Sequence, residues 1–151
     1  TNLNSLFNMT RAVIEGTRGR GFGRIISIGS INGQKGQMGQ RNYSAAKAGL
    51  EGMSRALVEE LRPRGIRLTI LRPGATATDM WKNIPGEFDL GKMLPPEVVA
   101  ESVEFLLAQP KGAWTETLAP NPLRFESVPI SSTLRKRISG FLGPRLEGGG
   151  I

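Results

Sequence analysis

The apolar positions of this chain change period along its length, and the changes outline its elements. Leu3, Leu6, Phe7, Val13 and Ile14 recur at helical spacing between Thr1 and about Gly16. A helix is expected there, ended by the glycine-rich turn 16–23. Arg24–Ser30 carries Ile25, Ile26 and Ile28, the β-branched bulk of a strand. Residues 31–42 form a polar loop rich in glycine and glutamine. From about Tyr43 to Arg62 the helical period returns, with Leu50, Met53, Leu57 and Leu61 as an apolar stripe. Ala45, Ala48, Gly49, Gly52 and Ala56 keep another side of that helix small. Glycine inside a helix costs roughly 1 kcal/mol against alanine, so Gly49 and Gly52 point to close approach by a neighbouring element.

Pro63 and Gly65 stop this helix, and Ile66–Leu71 reads as a second strand, ended by Pro73-Gly74. Ala75 to about Leu94 is a long excursion without a regular pattern, of a length typical of lids and binding segments. Pro96 suits the first turn of a helix, whose expected buried face is Val99, Val103, Leu106 and Leu107. A weaker third strand lies near Thr115–Ala119. Strands alternating with helices imply a parallel sheet with right-handed crossovers, an α/β layer fold. Residues 127–151 change character: Leu134, Ile138, Phe141 and Leu142 fit either a short amphipathic helix or a frayed tail. The expected division is therefore 1–126 as a folded unit and 127–151 as a basic tail.

Composition narrows the chemistry. The 151 residues are 38% hydrophobic and 22% charged, the profile of one globular domain. No run of about 18 apolar residues occurs, so no membrane-crossing helix is expected. There is no cysteine, hence no disulfide framework, which fits a cytoplasmic setting. With no histidine either, a Ser-His-Asp triad, a Cys-His pair and an ordinary His/Cys metal site are excluded, and acid–base work falls to Tyr, Lys, Asp or Glu. The net charge of +7 is concentrated partly in the tail, where Arg135, Lys136, Arg137 and Arg145 face only Glu147. Such an aromatic-poor tail is weak evidence for nucleic-acid binding, and no nucleic-acid partner is expected.

Within those limits one constellation stands out. Ser30 ends the first strand, Tyr43 opens the following helix thirteen residues on, and Lys47 follows four later. Residues at i and i+4 share a helix face. A free phenol gives up its proton near pH ~10, and an ammonium one turn away favours the phenolate. Such a pair can donate a proton to a carbonyl oxygen, and a serine brought in by the loop can polarise it. Taken singly, each residue has a plainer reading: a strand end, a half-buried aromatic, a solvated lysine. Gly19, Gly21 and Gly23 do not make a phosphate-binding loop, because such a loop follows a strand and opens a helix, whereas here the order is helix, glycines, strand.

The combination resembles the short-chain dehydrogenase/reductase family. The resemblance rests on GRIISIGS before the loop, NYSAAKAG at the helix start, LRPGATATDM after the next strand and TNLNSLFNMT at the beginning, and it covers about residues 1–110. The loop segment GQKGQMGQRNYSAAKAG is most similar to acetoacetyl-CoA and 3-oxoacyl reductases. The resemblance implies Asn2, Ser30, Tyr43 and Lys47 as catalytic residues, with Asn2 anchoring a relay water; a helix cap is the plainer reading of Asn2. It implies that Tyr43, Lys47, Pro73, Gly74, Thr76 and Thr78 line NADP or NAD, and that Gln37 and Gln40 face the acyl group of a small carbonyl substrate.

The family's glycine-rich phosphate loop and its Asn-Asn-Ala-Gly strand end are not found in this chain, and the segment after Thr115 diverges. The chain therefore reads as the C-terminal half of a Rossmann-like doubly wound sheet, about three strands with flanking helices, belonging to a longer reductase. The choice between NAD and NADP is made after the second strand of the full fold, outside the matched segment. Two functions remain open: the catalytic half of a carbonyl reductase, or a non-catalytic module that forms homo-oligomers through helix 43–62.

Overall fold

The computed structural model describes residues 2–37, 39–84 and 87–123, without the side chains of Asn2 and Arg18. The foreseen tail, 127–151, lies outside the described residues. The β-branched runs form β1 (Gly23–Ile28) and β2 (Ile66–Leu71), which pair in parallel, and β3 (Thr117–Leu118) adds to the far side of β2. The register runs from Gly23 opposite Ile66 to Ile28 opposite Leu71, and Ile70 faces Thr117. Among the described residues, three α-helices flank the sheet: α1 (Asn2–Arg18), α2 (Arg41–Leu61) and α3 (Pro96–Ala108). α2 links β1 to β2 and α3 links β2 to β3, the α/β alternation expected from the periodicity.

The core lies between α2 and the sheet. Val58, Leu68 and Ile70 are buried together, with Ile25, Leu57 and Trp114 packed around them. Leu61, Ile66 and Leu71 have no exposed surface. Several buried polar groups in this layer are paired, as desolvation favours. Ser54 Oγ donates to Ser27 Oγ at 3.1 Å, Thr69 Oγ1 to Thr115 O at 2.6 Å, and Trp114 Nε1 to Leu68 O at 3.2 Å. The Arg24 guanidinium donates to Leu106 O and Gln109 O, fastening the end of α3 to the start of β1.

Several boundaries differ from the sequence reading, each for a local reason. β1 stops at Ile28, before Ser30: Gly29 N still donates across to Leu71 O at 2.7 Å, but Ser30 then caps a 3₁₀ turn over Ile31–Gly33 and takes the chain out of the sheet. α2 begins two residues before Tyr43, at Arg41. The 75–94 excursion is not wholly irregular: it holds 3₁₀ turns at Asp79–Asn83 and Leu90–Lys92. Ala77 N donates to Leu94 O, and Leu94 N to Ala75 O, both at 2.9 Å, which closes its base. On α3 only Leu106 is buried, Val99 and Val103 are half-buried, and Leu107 is 55% exposed. Positions 99, 103 and 106 make one narrow stripe, and Leu107 falls on its solvent side.

The small side of α2 also divides. A methyl group on Gly49 would lie 3.2 Å from the Leu3 side chain of α1, so Gly49 does mark a close helix approach. Gly52 has open space beside it, and Ala45, Ala48 and Ala56 are exposed along the same helix. Gly52→Ala is therefore expected to raise stability by roughly 0.5–1 kcal/mol through helix propensity alone. Gly49→Ala is expected to gain less, or to lose, because Leu3 must yield. Denaturant titration of the two variants checks this, and equal gains at both positions would contradict the packing described.

Candidate active site

Parallel pairing sets Ile28 beside Leu71, so the two chains leave the sheet side by side, as Gly29-Ser30 and as Arg72-Pro73-Gly74. Ligands of open α/β sheets bind outside the carboxyl ends of the strands. Here a cleft of about 1070 Å³ opens at that position. Ser30, Gln37, Gln40, Tyr43 and Lys47 lie along it, as do Pro73, Gly74, Thr76 and Thr78. Every candidate residue named from the sequence thus borders one space, except Asn2. Asn2 is the first residue of α1, and its side chain lies outside what the structure describes.

Ser30 is 8% exposed and extended (φ −166°, ψ 152°), and its Oγ accepts a bond from Asn32 N at 3.2 Å. Accepting there leaves the hydroxyl proton for another oxygen. Tyr43, the third residue of α2, is half-buried. One turn later Lys47 places its Nζ 5.8 Å from the centre of the Tyr43 ring and donates to Ile28 O at 2.9 Å. That bond ties the amine to the last residue of β1. Lys47 is buried, and burial pushes its amine below the ordinary lysine value of 10.5. An ammonium has three donors, so the bond to Ile28 leaves capacity for hydroxyl groups entering the cleft.

The loop between β1 and α2 has its own order. Asn32 Nδ2 donates to Gln37 Oε1 at 2.8 Å and to Gln40 Oε1 at 2.9 Å. With both glutamine oxygens occupied, their amide N–H groups remain for acceptors in the cleft. Opposite, Thr76 Oγ1 donates to Gly74 O at 3.1 Å, closing the turn after β2. Trp81 Nε1 donates to Thr76 O at 2.7 Å, and its ring lies 4.6 Å from that of Phe88. Thr78 caps the Asp79–Asn83 turn without a side-chain bond to it.

Sequence reasoning missed Asn32, Trp81 and a buried pair behind the cleft, Glu51 with Arg72. Asn32 and Trp81 carried no separable signal within their loops. Glu51 did carry one: it stands at i+4 from Lys47, a carboxylate on a helix face that also carries Leu50 and Val58 into the interior.

The fit to a nicotinamide cofactor can be judged on these residues. A buried amine with unused donors, a serine hydroxyl and a closed Pro-Gly turn border one cleft large enough for both a nicotinamide-ribose and a small acyl group. Those features suit the nicotinamide end.

The chain is similar to known proteins in sequence and in fold. The family model for short chain dehydrogenases matches residues 1–87. The chain is 44% identical over 131 residues to an acetoacetyl-CoA reductase of Rhizobium meliloti, covering 80% of this chain and 54% of that protein. It is 44% identical over 114 residues to a 3-oxoacyl-(acyl-carrier-protein) reductase of Pseudomonas aeruginosa, covering 70% and 46%. Among solved structures, the closed form of serine dehydrogenase complexed with NADP+ superposes with a TM-score of 0.70 at 28% identity, covering 86% of this chain and 57% of that one. The chain spans about half the length of the curated relatives it matches. It belongs to the short-chain dehydrogenase family.

The lowered proton affinity of Lys47 has a measurable sign. The unfolded chain binds the Lys47 proton more tightly than the folded one, so folding opposes that charge below the folded value. The penalty is relieved as pH rises towards 10.5. Against Lys47→Met, which has no such proton, the native protein is expected to gain relative stability as pH rises from about 7 into the lysine range. Denaturation midpoints of both proteins across that range check this. A constant difference would contradict the burial of the amine.

Proposed function

We propose that this member of the short-chain dehydrogenase family supplies the proton-handling part of an NAD(P)H-dependent reductase that converts the carbonyl of a 3-oxoacyl or acetoacetyl thioester to an alcohol. The observation that carries this reading is the convergence of Ser30, Tyr43 and Lys47 on one cleft, facing the Pro73-Gly74 turn at the carboxyl ends of two parallel strands. The names of the two relatives, an acetoacetyl-CoA reductase and a 3-oxoacyl-(acyl-carrier-protein) reductase, support the substrate class. The NADP+ complex of the structural neighbour supports the cofactor class.

Each residue has a physical task in this reading. Ser30 donates its free hydroxyl proton to the substrate carbonyl oxygen, where negative charge develops. Tyr43 transfers its phenolic proton to the same oxygen. Lys47 stabilises the phenolate left behind, through an ammonium held one turn away by the bond to Ile28 O. Its remaining N–H groups would hold the ribose hydroxyls of the cofactor. Pro73, Gly74, Thr76 and Thr78 would form the wall that holds a nicotinamide, a group that would supply the hydride. Gln37 and Gln40, oriented by Asn32, offer amide N–H groups to oxygens of the acyl chain. For Asn2 the resemblance implies the anchoring of a water that relays protons to Lys47.

Tyr43→Phe in the full-length protein removes the proton donor and leaves the ring. NADPH-dependent reduction of acetoacetyl-CoA, followed by cofactor absorbance, is expected to fall by roughly 10²- to 10⁴-fold in kcat. The cofactor is still expected to bind. Retention of native activity by this variant would overturn the mechanism.

A further inference from the structure

One charged cluster without an assigned role lies directly behind the cleft. Glu51, one turn after Lys47 on α2, is 1% exposed, and Arg72 is 8% exposed. Arg72 Nε donates to Glu51 Oε1 at 2.8 Å, and Arg55 reaches Oε2 from the surface at 3.5 Å. Removing a carboxylate and a guanidinium from water is costly, and an apolar pair of similar volume is often no less stable. Stability alone therefore gives no reason for a pair at this position.

Its placement does. Arg72 immediately precedes the Pro73-Gly74 turn, and its own N donates to Leu118 O at 2.7 Å. The Glu51 carboxylate lies against the chain on both sides of Ser30. A methyl group on Gly33 would stand 2.9 Å from Oε1, and one on Gly29 3.5 Å. The same methyl on Gly33 would stand 3.1 Å from the backbone oxygen of Lys47. A single carboxylate thus belongs to the Tyr43–Lys47 helix, supports the Ser30 loop from behind and is bonded to the residue that launches the opposite wall. A charge-assisted hydrogen bond fixes direction as well as distance, which apolar packing does less strictly.

We infer that Glu51 and Arg72 are positioning residues: their ion pair sets the separation of the Ser30 loop, the Tyr43–Lys47 helix and the Pro73-Gly74 turn. This rests on the carbonyl reduction proposed above, in which all three segments meet one substrate and one cofactor. A displacement of about 1 Å between reacting groups can cost on the order of 100-fold in rate.

The test is the double variant Glu51→Leu/Arg72→Met in the full-length protein, which removes both charges and leaves neither unpaired. A melting temperature near the native one is expected, with kcat for acetoacetyl-CoA lowered roughly 10- to 100-fold and KM for the thioester little changed. Arg72→Lys keeps the charge without the planar fork; its kcat is expected to lie between those of the native protein and Arg72→Met, and this order decides the matter if the double variant fails to fold. Native kcat in a folded double variant, equal kcat in Arg72→Lys and Arg72→Met, or a loss that only follows the fraction of folded protein overturns the inference. Tyr43→Phe, assayed in parallel, separates the two claims. If Tyr43→Phe stays active, the proposed function fails; if it is inactive while the double variant turns over normally, only the positioning role fails.

Discussion

The site depends on the parallel pairing of β1 with β2, six residues in unbroken register from Gly23–Ile66 to Ile28–Leu71. Parallel strands end at the same edge of the sheet, so the segments that leave them are neighbours whatever their sequence. The chain uses this twice. After β1 it turns at Gly29, presents Ser30 and rises into α2; after β2 it turns through Pro73-Gly74 into the opposite wall. α2 returns across the sheet with its first turns over the strand ends, where Tyr43 and Lys47 lie. The bond from Lys47 Nζ to Ile28 O closes this arrangement, joining the helix to the strand end that it overhangs.

Electrostatics then distinguishes this edge from the rest of the surface. Lys47 is buried beside a backbone carbonyl and an aromatic ring, and the carboxylate one turn away, Glu51, is bonded to Arg72. The amine therefore keeps its influence on the cleft instead of spending it on a direct ion pair. Ser30 is arranged comparably: its oxygen accepts from Asn32 N, which orients the hydroxyl and leaves its proton available. Where the other polar groups of the site stand is settled by bonds among themselves, Asn32 with Gln37 and Gln40 on one wall, Trp81 with Thr76 on the other.

Much of this was legible in the sequence because it is local or periodic. The β-branched runs, the helical period from 43 to 62 and the i, i+4 spacing of Tyr43 and Lys47 each depend on neighbours in the chain. Ser30 and the Pro73-Gly74 turn were legible as strand ends, and the roles proposed for them come from the resemblance; the register explains why both border one cleft. The unread features depend on partners distant in sequence. Glu51 falls on the buried face of α2, but it meets Arg72 across 21 residues, and nothing in either segment names the other as its partner. Leu107 was assigned to the buried face of α3 because period alone does not say how wide a stripe the sheet will cover. Gly49 and Gly52 looked equivalent until the position of Leu3 separated them.

In the reaction proposed above, one cleft brings a carbonyl, a serine hydroxyl, a phenol and a nicotinamide together. A crystal structure of the full-length protein with NADP+ and a non-reducible 3-oxoacyl thioester analogue tests it most directly. The analogue's carbonyl oxygen is expected within hydrogen-bonding reach of both Ser30 Oγ and the Tyr43 hydroxyl. The ribose is expected on Lys47 Nζ and the nicotinamide against Pro73-Gly74. A nicotinamide bound elsewhere, or a carbonyl oxygen that contacts neither hydroxyl, would contradict it.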